Sequence, residues 1–450
     1  MAAFTKVQER QDSRDLFSPK TNSASMFQPP KGTRDFLPVE WARRRAYFEK
    51  ARAVLERYGY GEVMTPAIET LQLLEAKGAI GGEAVKDVFR ILDKGTGKPG
   101  YGLIFDPTVP IARIIAADRS MKKPVKWFYV RPMWRYEQFK VGRYREFWQA
   151  GAELIGSSSP MADAEILSAT YDVLKALGVK NFSMQVNSRR IIESLARLSG
   201  IPKEKWMDAF KAVDKLEKVG RAEVGGEMKR AGIPDDSIEK FLNYADRQNI
   251  NKTIKELSED IEAAEQIGEL REILRLAKLM DVDNAEIDFS IIRGLDYYTG
   301  FIFETIVKGQ EKLGSVASGG RYDKLIELYG GQPTPATGVG IGIDRMMEIL
   351  PEPKEYSQAK AYVVCVYDNL GEKALEVAQL LRKSGISTDL DYNKRDLKKQ
   401  FEFMNVQKIP YAVIVGPKEL KKNSVVLRDM KSGKEKVVKL SQLVKAIEIS

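Results

Sequence analysis

The chain has 450 residues, enough for two or three domains with ample core, and its 43% hydrophobic and 30% charged content is that of an ordinary water-soluble protein. It contains no histidine and one cysteine, which excludes Ser-His-Asp and Cys-His nucleophiles, histidine acid–base work, histidine metal ligands, thiolate clusters and an intrachain disulfide. The net charge of +9 is uneven: residues 357–450 hold 18 Lys and Arg against 11 Asp and Glu, whereas residues 201–285 hold 15 against 19. Basicity gathered in one terminal part suits a polyanionic partner, although a solvated lysine-rich surface is the commoner cause of such a bias.

Residues 1–26 mix Ser, Gln and both charge signs without an apolar core. Together with Glu9, Asp12 and Asp15, this fits neither a secretory signal nor an acid-poor transit peptide, so residues 1–28 are expected to be a mobile tail and the protein cytoplasmic. No apolar run approaches the roughly 18 residues that span a bilayer, and no membrane partner is expected. The body starts at Pro29 to Pro38 and continues into a helical pattern from Trp41 to Tyr58 that stops at Gly59. Gly61 to Pro66 reads as a short strand broken by proline. Lys126–Glu137 and Phe147–Ile155 read as an antiparallel hairpin with a long basic loop, and residues 162–177 as a helix.

Residues 188–285 turn rich in Glu, Lys, Ala and Leu, with apolar faces at Ile191, Ile192, Leu195 and Leu198, then at Phe210, Val213 and Leu216. Strand patterns resume at Ile287 and run to Ile343. The expected body is therefore one antiparallel sheet domain, residues 29–187 and 286–350, interrupted by a helical insertion. A linker at 351–359, beginning Pro351-Glu352-Pro353, leads to a βαβ-type terminal domain, residues 360–450: Ala361–Tyr367, Leu370–Lys383, Ile386–Leu390, Lys394–Val406 and Tyr411–Val415. Cys365 falls in the first of these strands and reads as a small buried hydrophobe.

With histidine and thiolate chemistry removed, the informative stretch is Arg293-Gly294-Leu295-Asp296-Tyr297-Tyr298-Thr299-Gly300, placed between two apolar runs. Two tyrosines beside an arginine suit a pocket for a polar, aromatic-sized ligand, and suit equally a strand end with packed tyrosines. Arg135 and Glu137 share one face of the first hairpin strand, the loop brings Arg143, and the return strand brings Phe147, Gln149 and Glu153. A guanidinium beside an aromatic plane suits a nucleoside triphosphate; a surface hairpin laced with salt bridges has the same spacing. Gly338, Gly340 and Gly342 alternate along a strand and leave one face bare for a flat ligand, with Arg345 following at the start of a helix.

Taken in order, Gly59–Pro66, Arg131–Glu153 and Gly338–Arg345 resemble the three signature motifs of class II aminoacyl-tRNA synthetases. Arg293–Gly300 resembles the histidine-specific motif of histidyl-tRNA synthetases, and Gly319-Gly320-Arg321-Tyr322-Asp323 resembles another block of that family. The resemblance implies an α+β fold: an antiparallel six-stranded catalytic domain with a helical insertion, plus a C-terminal α/β anticodon-binding domain. It implies a homodimer whose substrates are L-histidine, ATP with Mg²⁺, and the histidine tRNA, with no protein-held metal site. By this resemblance Asp106, Thr108 and Gln149 hold the amino and carboxylate groups of histidine. Glu153 and Tyr298 bond its ring nitrogens, and Tyr297 and Tyr322 close the pocket. Arg135, Glu137, Arg143, Phe147 and Arg345 bind ATP, and Arg293 and Arg135 act on the α-phosphate.

Two departures from the family pattern are visible. Ile104 stands where the family has arginine and Pro107 follows the acid, which bears on the loop around Asp106, while Phe139 and Val141 are apolar for a loop tip that touches tRNA. The alternative reading is a histidine-binding regulatory paralogue that charges no tRNA; such proteins lack the anticodon-binding domain and tend to lose the ATP arginines. An RNA-binding scaffold would account for the basic terminus and not for the pocket.

Overall fold

The computed structural model describes residues 27–76, 85–138, 142–292, 297–350 and 357–448. The expected N-terminal tail up to residue 26, the loop-tip residues Phe139 and Val141, the start of the linker, and Arg293 to Asp296 lie outside the described residues.

Among the described residues, eleven strands precede residue 350. They are β1 Gly61–Glu62, β2 Ile68–Thr70, β3 Arg90–Leu92, β4 Pro99–Leu103, β5 Val125–Trp134, β6 Glu146–Ile155, β7 Phe182–Ser188, β8 Ala285–Ile287, β9 Phe301–Val307, β10 Ala317–Arg321 and β11 Ala336–Gly342. Eight of them form one sheet in the order β1-β5-β6-β11-β10-β9-β7-β8. Its six inner strands pair antiparallel throughout, as expected, but the sheet is wider than six: β1 pairs with β5 and β8 with β7, both parallel. The added edges are only two and three residues long. Strands β2, β4 and β3 make a separate small sheet.

Helix Pro38–Arg57 starts with proline in its first turn and buries Arg44, Tyr47, Phe48, Ala51, Val54 and Leu55 at helical spacing. It packs on helix Pro160–Leu177, which Ser159 caps by accepting the Met161 N–H at 3.2 Å and which ends at Gly178, φ +90. On that same helix rests Ile261–Leu279, the last long helix of the 188–285 insertion. Ile191, Leu195, Phe210 and Val213 join one continuous cluster with the sheet, so the insertion shares the body's core.

The strand expected to run on from Ile287 stops there. Asp288 is buried, accepts the Ser290 N–H at 2.9 Å and hydroxyl at 2.5 Å, and pairs with Arg247 of the insertion. A short side chain that bonds backbone two residues on turns the chain where alternation alone predicts strand.

The C-terminal sheet has five strands: β12 Ala361–Cys365, β13 Thr388–Leu390, β14 Tyr411–Val415, β15 Ser424–Asp429 and β16 Glu435–Lys439, in the order β13-β12-β14-β15-β16. The β12, β13 and β14 pairings are parallel, as the expected βαβ pattern requires. The β15–β16 hairpin and helix Leu440–Glu448 extend that pattern. Cys365 departs from its expected burial: it stands at the end of β12, only partly buried, and its thiol donates to the Tyr367 carbonyl at 2.9 Å.

Candidate active site

The register of the main sheet sets two side chains over glycine. Glu153 on β6 lies opposite Gly338 on β11, and Gln149 opposite Gly342. A Cβ added at Gly338 would fall 1.8 Å from Glu153 Oε2, and one at Gly340 would fall 1.5 Å from Gln149 Nε2. The bare face expected to receive a flat ligand is therefore filled, at these two positions, by the protein's own Glu153 and Gln149 side chains. At Gly342 an added Cβ would meet only ordinary van der Waals contact, its nearest neighbour being the Val316 carbonyl at 3.5 Å.

Glu153 is 1% exposed. Its Oε1 accepts the Thr108 hydroxyl at 2.7 Å and its Oε2 the Tyr322 hydroxyl at 2.5 Å. Burial pushes its carboxyl up to about 8, with these two donations opposing the rise and the Asp106 carboxylate adding to it. Asp106 accepts the Thr108 N–H at 3.0 Å and the Tyr297 hydroxyl at 3.1 Å. Burial first, then the neighbouring carboxylates, hold the Tyr297 and Tyr322 phenols well above their ordinary range, so both remain O–H donors. The rings of Tyr298 and Tyr322 pack against Tyr297 at centroid distances of 4.7 and 5.8 Å.

The departure at Ile104 and Pro107 is absorbed locally, and Asp106 faces the cavity. Ile104 is fully buried, its carbonyl taking the Trp134 N–H, and Pro107 caps helix Thr108–Ala117.

At the other end the site is cationic. Arg135 donates Nε and Nη2 to the Phe105 carbonyl at 3.2 and 3.1 Å, its guanidinium 5.2 Å from the Phe147 ring centroid. Arg143 pairs with Glu137 at 3.2 Å. Arg345 donates to the Ser315 carbonyl, and burial, then the charges of Arg143 and Arg135, bring its guanidinium down to about 10 against the pull of Glu137 and Glu304. Three guanidiniums within electrostatic reach of one another, one of them partly buried, favour an anionic ligand between them.

One cavity of about 1390 Å³ holds both ends. It is lined by Asp106, Thr108, Gln149, Glu153, Tyr297, Tyr298, Tyr322, Arg135, Glu137, Arg143, Phe147 and Arg345, which are all the site residues named from sequence except Arg293. Glu304, Tyr129 and Asp344 also line it and went unnamed in the sequence. The Asp344-Arg345 pair was in plain view there, whereas Glu304 is one acid in an otherwise ordinary strand.

Residues 32–346 match the family model of histidyl-tRNA synthetase, and residues 360–449 that of the anticodon binding domain. This chain belongs to the histidyl-tRNA synthetase family. Histidine–tRNA ligases of Thermococcus kodakarensis and Pyrococcus furiosus are each 37% identical to it over 431 and 429 residues, covering 93% of this chain and 97% and 98% of theirs. The crystal structure of histidyl-tRNA synthetase from Nostoc sp. superposes with a TM-score of 0.79 at 27% identity, covering 94% of this chain and 99% of that one. The Arg321 of the Gly319–Asp323 family block turns away from the cavity: it is buried against Asp163 at 2.6 Å and so anchors the strand that presents Tyr322.

Gly338→Ala tests whether the Glu153 position matters. The new Cβ would displace the carboxylate and crowd the Ala152 carbonyl at 2.9 Å. Histidine affinity by calorimetry should fall by about 10²-fold, the scale of a misplaced site group, with the far-ultraviolet dichroism retained. Wild-type affinity in this variant would show that the carboxylate is not a recognition group.

Proposed function

We propose that this synthetase activates L-histidine with ATP to the histidyl adenylate and passes the histidyl group to the 3′ end of its tRNA. The observation that carries the reading is the division of one cavity into a buried carboxylate–tyrosine end and a triple-arginine end. The first takes an aromatic-sized ligand with N–H groups, and the second takes phosphates. Glu153 and Tyr298 bond the imidazole nitrogens, Asp106, Thr108 and Gln149 hold the amino and carboxylate groups, and Tyr297 and Tyr322 close the pocket.

In this reading the histidine carboxylate, already ionised, attacks the α-phosphorus in line and pyrophosphate leaves. Arg135 and Arg345 neutralise the transferring phosphate, with Arg293 on the opposite side by family resemblance. Phe147 stacks on adenine, and Glu137 and Arg143 hold the nucleotide. A ribose hydroxyl at the tRNA end then attacks the acyl carbon, the adenylate phosphate accepts its proton, and the acyl–phosphate bond breaks to release AMP. No step needs a protein histidine, which fits a chain with none.

The donor set also suits Mg²⁺ carried in on the nucleotide. Among the described residues no group of three acids, histidines or cysteines could hold an ion alone, and one carboxylate plus phosphate oxygens and water is the usual Mg²⁺ arrangement. Glu304, at the arginine end, is the residue that would hold it, and the ion would supply further charge neutralisation there.

Residues 360–449 bind the anticodon region of the tRNA in this reading, supported by their family match and by the basic excess of residues 357–450. That match and the retained Arg135 and Arg345 weigh against a regulatory paralogue. We also place the enzyme in the cytoplasm as a homodimer. Met64, Ile68, Leu92 and Tyr101 are exposed on the small β2–β4–β3 sheet and the segment leading to it, apolar surface suited to isologous pairing. No helix among the described residues is long and apolar enough to cross a membrane.

Histidine-dependent ATP–pyrophosphate exchange tests the activity; its absence would sink the reading. Arg345→Ala should lower the exchange rate by about 10²–10³, the usual effect of one lost charge donor. The pH dependence of histidine binding follows from Glu153. The complex holds one proton between the carboxyl and the imidazole. Below the free imidazole pKa of roughly 6.5, binding must release a proton, and above the Glu153 value of about 8 it must take one up. Calorimetric affinity should therefore be flat from roughly pH 6.5 to 8 and fall on both sides, and Glu153→Gln should lose the alkaline limb. An alkaline limb unchanged in Glu153→Gln would refute the assignment. Sedimentation at micromolar concentration should give a dimer; a stable active monomer would remove the pairing proposal.

A further inference from the structure

The segment Lys31 to Phe36 is absorbed by none of the roles above, yet it packs directly behind residues that wall the cavity. The Gly32 carbonyl accepts the backbone N–H of Arg145 at 2.8 Å and of Glu146 at 3.4 Å. Gly32 has φ +86, and a Cβ there would sit 2.7 Å from Arg145 Cγ, so the segment lies directly on the return arm of the β5–β6 loop. Two residues on, the Arg34 guanidinium lies 3.2 Å from the centre of the Tyr144 ring and pairs with Asp344 at 2.5 Å.

Asp344 is 4% exposed and joins three elements: besides Arg34 it pairs with Arg44 of helix Pro38–Arg57 at 2.8 Å and accepts the Trp148 N–H of β6. Tyr144 in turn donates to Glu348 at 3.3 Å, just beyond helix Ile343–Met347. Tyr144, Trp148 and Asp344 line the cavity and Arg34 does not. The residues that Arg34 grips are the chain neighbours of Arg143 and Arg345, and Asp344 in turn holds Trp148, the neighbour of Phe147. Its planar cation bridges the loop arm on one side and the helix on the other.

We infer that Arg34 is a positioning residue for the nucleotide half of the site. By stacking on Tyr144 and pairing with Asp344, it holds the arm bearing Arg143 and Phe147 at a fixed distance from the helix bearing Arg345. It does so without touching the ligand. The histidine half stands on the sheet, through Glu153 over Gly338, and is independent of this brace. Loss of Arg34 leaves Asp344 still paired with Arg44 and bonded to the Trp148 N–H, so the carboxylate is not stranded and the fold persists.

The inference rests on reading this end of the cavity as the ATP site, and calorimetry with ATP alone and with histidine alone separates the two claims. In Arg34→Ala, ATP affinity and the KM for ATP in pyrophosphate exchange should each worsen by about tenfold or more, the factor that one partly buried cation–π and ion-pair contact supports. Histidine affinity should stay within about twofold of wild type, within the ordinary scatter of a remote change. Arg34→Lys keeps the charge and loses the planar stack, and should fall between. Unchanged ATP affinity in Arg34→Ala, or an equal loss for ATP and histidine, would overturn the inference. Should Arg34→Ala not fold, Arg34→Gln takes its place under the same criteria. A wild-type chain that binds no ATP would instead defeat the functional reading itself, and this inference with it.

Discussion

A carboxylate taken out of water costs several kcal/mol unless its lone pairs are satisfied or it takes up a proton, and Glu153 does some of each. The Thr108 and Tyr322 hydroxyls bond one oxygen apiece, and burial raises the affinity of the group for a proton until it titrates near neutrality. None of this is possible if Gly338 carries a side chain, because the carboxylate occupies the space a Cβ would need. The alternating glycines of β11 thus serve first as room for Glu153 and Gln149. Asp106 is tied into the same assembly through Thr108, whose backbone serves one acid and whose hydroxyl serves the other.

The arginine end is built on a different principle. Arg135, Arg143 and Arg345 repel one another, and the partly buried Arg345 is the most costly of them, so this half of the cavity is least comfortable when empty. Glu137 and Glu304 offset part of that repulsion. An anion completes it. Such a site needs its cations held in place from behind, since repulsion would otherwise spread them. The Phe105 and Ser315 carbonyls do this for Arg135 and Arg345, and Asp344, next in chain to Arg345, ties its helix to the body.

Most of the site was legible in the sequence because its residues sit in short contiguous blocks at strand ends, where spacing reports shared faces. Arg135 with Glu137, Gln149 with Glu153, and Tyr297 with Tyr298 are each separated by four residues or fewer. What spacing could not report was which strands lie side by side. That Glu153 packs on Gly338, or that Arg34 meets Asp344, is a fact of sheet order and chain crossing over distances of 185 and 310 residues. The structure departs from the reading only in detail, where local rules compete or pairing partners are invisible. Asp288 turns a segment whose apolar alternation continues to Ile292, and neither the short strand at Gly61 nor the three-residue β8 reveals by spacing that it joins the sheet edge in parallel. Cys365 was misjudged because position in a strand does not say how near the strand is to its end.

The contrast between the two ends bears on selectivity. Glu153, Asp106, Thr108, Tyr297 and Tyr322 at the histidine end already have protein partners, so a ligand must exchange bonds with Thr108, Tyr322 and Tyr297. A ring lacking N–H groups gains nothing in that exchange, and any buried oxygen it displaces from its partner is left unpaired. A site of this construction discriminates by about 10⁴–10⁵ against such analogues, where an apolar pocket of the same shape would manage only about 10². The arginine end needs no comparable discrimination, because a triphosphate is told apart from other ligands by charge alone. Rigid sheet therefore supports the half that must choose, and loops tied by ion pairs support the half that must admit and release its anion.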